Sequence, residues 1–120
     1  MVIPSDQLFR GQTWYLYHNN MPLLNYVASL IKSYSTINVG INAFYGYYMT
    51  KDQQKRLKKL TAKQAQSVQR YLWSRCNNSR LMYARGYGLR YPVANNWVRF
   101  GRYYNSRVEI SFRYYYDRVL

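Results

Sequence analysis

Apolar and polar positions along the chain follow two rhythms in turn. Leu23, Val27, Leu30, Ile31 and Tyr34 recur at helical spacing, which predicts a first helix with one buried face. Asn19 or Asn20 stands where that helix needs a cap, and Pro22 suits its first turn, where a missing N–H is no loss. Then the rhythm changes to strict alternation. Ile37, Val39, Ile41, Ala43 and Tyr45 point one way and Asn38, Gly40 and Asn42 the other, the pattern of a half-buried strand. A second helix is predicted from about Asp52 to Arg75, with Leu57, Leu60, Ala65, Val68, Tyr71 and Leu72 as its stripe and Asn77-Asn78 as its end. Leu81–Tyr87 reads as a third strand closed by Gly86 and Gly88. Leu89–Tyr104, with Pro92, Asn95, Asn96 and Gly101, reads as irregular. Val108, Ile110, Phe112 and Tyr114 alternate in a last strand. At the other end, Val2–Leu8 reads as an entering extended segment and Trp14–Tyr17 as a short strand or loop. Helices alternating with strands predict an α/β layer, two helices packed on one face of a mixed sheet.

Length supports one core and not two: 120 residues without a repeat or linker read as a single domain, 1–120, ending in a tyrosine-rich tail at about 115–120. Apolar residues make up 48%, which excludes a disordered polyelectrolyte. No apolar run approaches the roughly 18 residues that would read as a membrane-spanning helix. Met1-Val2-Ile3-Pro4 lacks a basic and an apolar leader region, so the chain is either cytoplasmic or the folded part of a longer exported protein. Cys76 is alone, which excludes an internal disulfide and a thiolate metal site; it reads as a small, partly buried residue at a helix end. Eighteen Lys and Arg against four Asp and Glu give a net charge of +14. That field attracts nucleic acid, acidic lipid, acidic glycopeptide or an acidic protein, and does not choose among them.

Four motifs in the C-terminal half narrow the choice. Leu60-Thr61 with Ala65, Val68, Tyr71 and Leu72 is similar to the helix signature L-S-x-x-R-A-x-x-V-x-x-Y-L of the OmpA-like family. Ala84-Arg85-Gly86-Tyr87-Gly88 resembles its A-R-G-x-G strand end, and Pro92-Val93-Ala94-Asn95-Asn96 its P-V-A-x-N loop. Gly101-Arg102, Asn105 and Arg107-Val108-Glu109-Ile110 resemble the closing G-R-x-x-N-x-R-V-E-I. Ile3-Pro4-Ser5-Asp6…Leu8-Phe9 and Pro22-Leu23-Leu24…Val27-Ala28 fit the opening strand and first helix more loosely. The resemblance implies a βαβαβ-type two-layer sandwich in the periplasm, at the outer membrane or cell wall, within a longer exported and sometimes lipid-anchored chain. It further implies a peptidoglycan ligand, no cofactor, no metal and no catalysis.

The family grips the free end of diaminopimelate with an Asp in a G-H-T-D-like loop and the Arg of the helix signature, one ion pair for each end of a zwitterion. Here Gly46-Tyr47-Tyr48-Met49 stands in that loop and Gln64 in place of the Arg. Both usual ionic partners are missing, and the nearest carboxylate in the sequence, Asp52, is three residues away. Each lost charge-assisted contact weakens binding by about 1.5–3 kcal/mol unless something replaces it. Tyr47, Tyr48 and Tyr91 either line the altered pocket with rings or are structural. Arg102, Asn105 and Arg107 match family positions that either hold the neighbouring loop or touch ligand.

Lys51, Lys55, Lys58 and Lys59 share one face of the second helix. This is either a solvated face or, since like charges at a helix start oppose its dipole, a contact for an anion. Three functions remain open. One is a peptidoglycan-associated envelope domain, and another a scaffold subunit of an envelope machine such as a secretion system, for which 16 tyrosines offer contact area. The third is a basic nucleic-acid-binding module, on the strength of Arg99-Phe100 and Arg102-Tyr103-Tyr104. An enzyme is disfavoured: His18 reads as a surface or capping residue, and Asp6, Asp52, Glu109 and Asp117 lie in different elements.

Overall fold

The computed structural model describes residues 1–18, 21–33, 37–48, 50–76 and 82–114, with the side chains of Ile37 and Tyr114 left aside. Expectations placed on Asn19, Asn20, Tyr34, Met49, Asn77, Asn78, Leu81 and the 115–120 tail lie outside the described residues. In chain order the elements are β1 (Val2–Pro4), α1 (Ser5–Leu8), α2 (Met21–Ser33), β2 (Ile37–Phe44), α3 (Lys51–Cys76), β3 (Met82–Gly88), α4 (Arg99–Asn105) and β4 (Arg107–Tyr114).

The strands form one mixed sheet, ordered β1-β4-β2-β3. β4 runs antiparallel to both neighbours, and β2 and β3 are parallel, joined by α3, as parallel neighbours require a long crossover. Val39, Ile41 and Ala43 face the core in register with Phe112, Ile110 and Val108. Leu24, Val27, Ala28 and Ile31 of α2, with Ala65, Val68, Leu72 and Cys76 of α3, close the same core. Each large apolar side chain sealed here contributes about 1.5–3 kcal/mol. The expected α/β architecture is borne out.

Several details differ. Val2–Leu8 is not extended throughout: after Pro4 the chain makes the single turn α1, and the Ser5 N–H is taken by the Ser106 carbonyl at 3.0 Å. The stripe of α2 is rotated toward Leu24 and Ala28, leaving Leu23 and Leu30 half-buried. Tyr45 lies beyond β2, its N–H donated to the Gly88 carbonyl at 2.8 Å. Trp14–Tyr17 is a loop, with Leu16 bridging Phe9. Phe112, expected inward, is 37% exposed on a row whose earlier members Val108 and Ile110 are sealed. Leu89–Tyr104 is not wholly irregular, because α4 begins at Arg99.

Gly86 lies within β3 and Gly88 ends it. A Cβ on Gly86 would sit 2.1 Å from the Ala62 amide nitrogen, so α3 rests directly on the strand. Gly88 has φ +59, a left-handed backbone that only glycine adopts without strain. Its N–H reaches the Thr61 hydroxyl at 2.9 Å. That hydroxyl in turn donates to the Leu57 carbonyl at 2.8 Å. Thr61, fully buried, thereby ties the strand end to the helix.

Candidate functional site

The loop after β2 crosses α4 at close range. A Cβ on Gly46 would lie 2.1 Å from the Arg102 carbonyl oxygen, and the Gly46 N–H donates to Ser106 Oγ at 2.9 Å. This contact leaves a cavity of about 300 Å3 between α1, the 10–17 loop, the loop after β2 and α4. Tyr45, Gly46 and Tyr47 line one wall, Arg99, Arg102 and Tyr103 another, and Asp6 with Gln12 a third. Asp6, Arg99 and Arg102 therefore border a single space, and the Arg102 guanidinium also donates to the Asn96 carbonyl at 3.1 Å. Burial pushes the Tyr45 phenol above its ordinary 10.0, opposed by a hydrogen bond with Gln12 and by the nearby Arg56 charge.

Of the residues singled out in the sequence, Tyr47 and Arg102 line this cavity. Tyr48 adjoins it: its ring packs edge-on to Tyr47 at 5.6 Å, meets Trp97 at 5.6 Å, and carries the Arg102 guanidinium 4.6 Å above its centre. Met49 lies outside the described residues. Tyr91 is elsewhere, edge-on to Tyr87 of β3, with a left-handed backbone at φ 57.

Gln64 is not open to the cavity. It is fully buried on α3, with its Nε2 donating to the Thr13 carbonyl at 2.9 Å. The 10–17 loop is pinned across it by Arg56 Nη1 donating to Gln12 Oε1 at 2.6 Å and by Lys63 Nζ lying 4.3 Å over the Trp14 ring. The shorter, uncharged side chain fits beneath this loop, whereas a guanidinium in its place would need a charged or polar partner.

Asn105 and Arg107 hold the frame. Asn105 Oδ1 accepts from the Val93 and Ala94 N–H groups at 2.7 and 2.9 Å. Its Nδ2 donates to the Ala94 carbonyl at 2.8 Å and to Asn96 Oδ1 at 2.7 Å. Arg107, buried, donates to Glu109 at 2.6 Å and to the carbonyls of Asn105 and Tyr91 at 3.1 Å each. Its guanidinium stacks 4.0 Å from the Phe44 ring centre. The Tyr91 backbone strain is thus held by Arg107 on one side and the Tyr87 ring on the other.

Two contributors were named in the sequence but not assigned to this site. Asp6 is separated from Tyr47 by a helix and a strand in the chain order, and only the pairing of β1 beside β4 carries it to the cavity. Arg99 sits in a segment without a visible helical stripe, because α4 buries Gly101 and Asn105 rather than its large side chains. Among the basic residues, Lys51, Lys55 and Lys58 line a separate groove and Lys59 does not.

No protein-family model and no curated protein matches the chain. Solved structures do match. The cell wall anchor of the T6SS from Pseudomonas aeruginosa is 25% identical, with a TM-score of 0.81 over 94% of this chain and 78% of that one. The periplasmic domain of Helicobacter pylori MotB is 21% identical, with a TM-score of 0.81 over 98% of this chain and 77% of that one. The peptidoglycan-associated lipoprotein from Burkholderia pseudomallei is 20% identical, with a TM-score of 0.76 over 93% and 89%. The last two likenesses concern the fold alone. The four sequence motifs lie on α3, β3, the loop before α4, and α4 with β4; the chain has the fold of the OmpA-like domains.

Proposed function

We propose that this chain is a non-catalytic single domain of the bacterial cell envelope. It works in the periplasm as the folded part of a longer exported protein, and it associates with peptidoglycan through a modified site. The observation that carries the reading is the cavity beside Tyr47, whose lining includes Asp6, Arg99 and Arg102. The usual ionic contacts with diaminopimelate are missing: Gln64 replaces the Arg and is covered, and tyrosines occupy the loop where the Asp would stand. A carboxylate for an ammonium and guanidinium groups for a carboxylate are nevertheless supplied from α1 and α4. The likeness to a cell wall anchor supports the wall as the partner.

A pull-down on insoluble peptidoglycan sacculi tests this. Wild-type protein is expected to bind, free diaminopimelate to displace it, and Asp6→Asn to bind more weakly. Binding indifferent to both would overturn the site. A second reading, a scaffold subunit whose surface meets other envelope proteins, is favoured by one observation. Phe100, Tyr103 and Tyr104 of α4 stand exposed around an open cavity with Arg99, the aromatic and arginine chemistry of protein contacts.

A further inference from the structure

The first turns of α3 and the end of β3 border a second cavity of about 330 Å3. Lys51, Lys55 and Lys58 line it from the helix, Arg90 from the segment after β3, and Tyr87 and Leu89 from the strand end between them. Among the described residues, no carboxylate lines it. Asp52 is next to Lys51 in the chain, yet among the described residues the ion pair formed is Arg107–Glu109, and none of these four cations has an acidic partner within 4.0 Å. Lys51, in the first turn of a 26-residue helix, also opposes its dipole. Four exposed cations bordering one groove without an acidic partner set up a positive local potential that favours an anion there.

Geometry further restricts the anion. The lysines come from successive turns of one wall, spread over about 10 Å of helix, and Arg90 from the other, so four cations border one cavity. Leu89 is buried beneath, and the Tyr87 ring stacks on Phe44 at 5.1 Å, which fixes a rigid, partly apolar floor. A compact group with more than one negative charge and several acceptor oxygens matches this arrangement better than a single carboxylate.

We infer that the groove formed by Lys51, Lys55, Lys58 and Arg90 is a binding site for phosphate groups, distinct from the Asp6 cavity and independent of the reading given above. A phospholipid headgroup and a soluble or polymer-borne phosphate share this chemistry.

The test is a titration of pyrophosphate at about 0.15 M salt, where exposed charges are screened beyond roughly 8 Å. Backbone amide shifts read the binding in the wild type. Two variants with equal loss of charge follow: Lys55→Gln/Lys58→Gln/Arg90→Gln in the groove, and Lys32→Gln/Arg70→Gln/Arg113→Gln away from it. The expected result is saturable binding, with shifts confined to residues 51–58 and 87–90. Affinity should fall at least about tenfold in the groove variant and stay within about twofold in the control. Flotation with phosphatidylglycerol vesicles, against phosphatidylcholine, separates the sources. Groove-dependent flotation assigns a lipid headgroup, and its absence beside pyrophosphate binding assigns a non-lipid phosphate. Equal losses in the two variants would reduce the effect to net charge and overturn the site, as would no saturable binding of either probe.

Discussion

Asn105→Ala is the substitution whose consequence follows most directly from the hydrogen bonds. The amide is 1% exposed and makes four bonds, to the N–H groups of Val93 and Ala94, the Ala94 carbonyl and Asn96 Oδ1. Each is worth about 1 kcal/mol net, and a group left buried and unpaired costs about 1–3 kcal/mol. Val93 is exposed and Ala94 half-buried, so water recovers part of the loss at their backbone. Asn96 is buried, and its side chain recovers little. The sum is about 2–4 kcal/mol. For a domain of this size that lowers Tm by roughly 8–15 °C. Urea unfolding followed by tryptophan fluorescence gives the free energy, and amide hydrogen exchange at Val93 and Ala94 gives the location. Both amides should lose protection. A loss below about 1 kcal/mol with protection intact would refute the role assigned to Asn105. Asn105→Asp sharpens the test: it keeps two acceptors and loses both donors, placing a carboxylate against the Ala94 and Asn96 oxygens. At neutral pH it should be at least as unstable as the alanine variant.

Three further outcomes are expected. Gly101→Ala would put a Cβ 1.7 Å from the Asn95 carbonyl oxygen; backbone has to move, and a loss of about 2 kcal/mol or more in urea is expected. Burial raises the Tyr45 phenol in the folded protein. The folded state therefore holds its proton more tightly than the unfolded chain, and that stability is present below about pH 10 and lost as pH rises through the folded value. Tyr45→Phe should flatten this alkaline fall in a series of Tm against pH, and an unchanged slope would contradict it. Gln64→Leu gives up the bond to the Thr13 carbonyl but also removes Oε1, which has no protein partner among the described residues. Opposing terms should leave stability within about 1 kcal/mol of wild type, whereas a loss above about 2 kcal/mol would show that Gln64 holds the 10–17 loop more firmly than one hydrogen bond allows.

What the sequence revealed and what it hid follow from periodicity. β2, α3 and β4 were legible because one face of each is sealed by the core, and burial imposes a period of two or 3.6. α1 was hidden because one turn after Pro4 is too short to show a period. α4 was hidden because its buried residues are Gly101 and Asn105 while Phe100, Tyr103 and Tyr104 face outward. Residues that bond to the backbone were recognisable as motif positions, and Asn105 and Arg107 prove to hold the loop rather than line the cavity. The cavity itself was only half visible. Tyr47 and Arg102 were within reach of motif spacing, but Asp6 arrives through sheet pairing between distant segments, which no local pattern encodes. Gln64 was visible as a changed residue, and its cover by Thr13 was not, since a loop without periodicity leaves no sign of what it lies on.

The measurement that tests the central claim most directly is an equilibrium titration of free diaminopimelate into the purified protein, wild type beside Asp6→Asn and Arg102→Gln. The Asp6 cavity predicts saturable binding, with shifts at Tyr47, Arg99 and Arg102, that each substitution weakens by at least about tenfold, the equivalent of about 1.4 kcal/mol. No saturation in the wild type, or saturation that both variants leave unchanged, would contradict a zwitterion held between Asp6 and the α4 arginines.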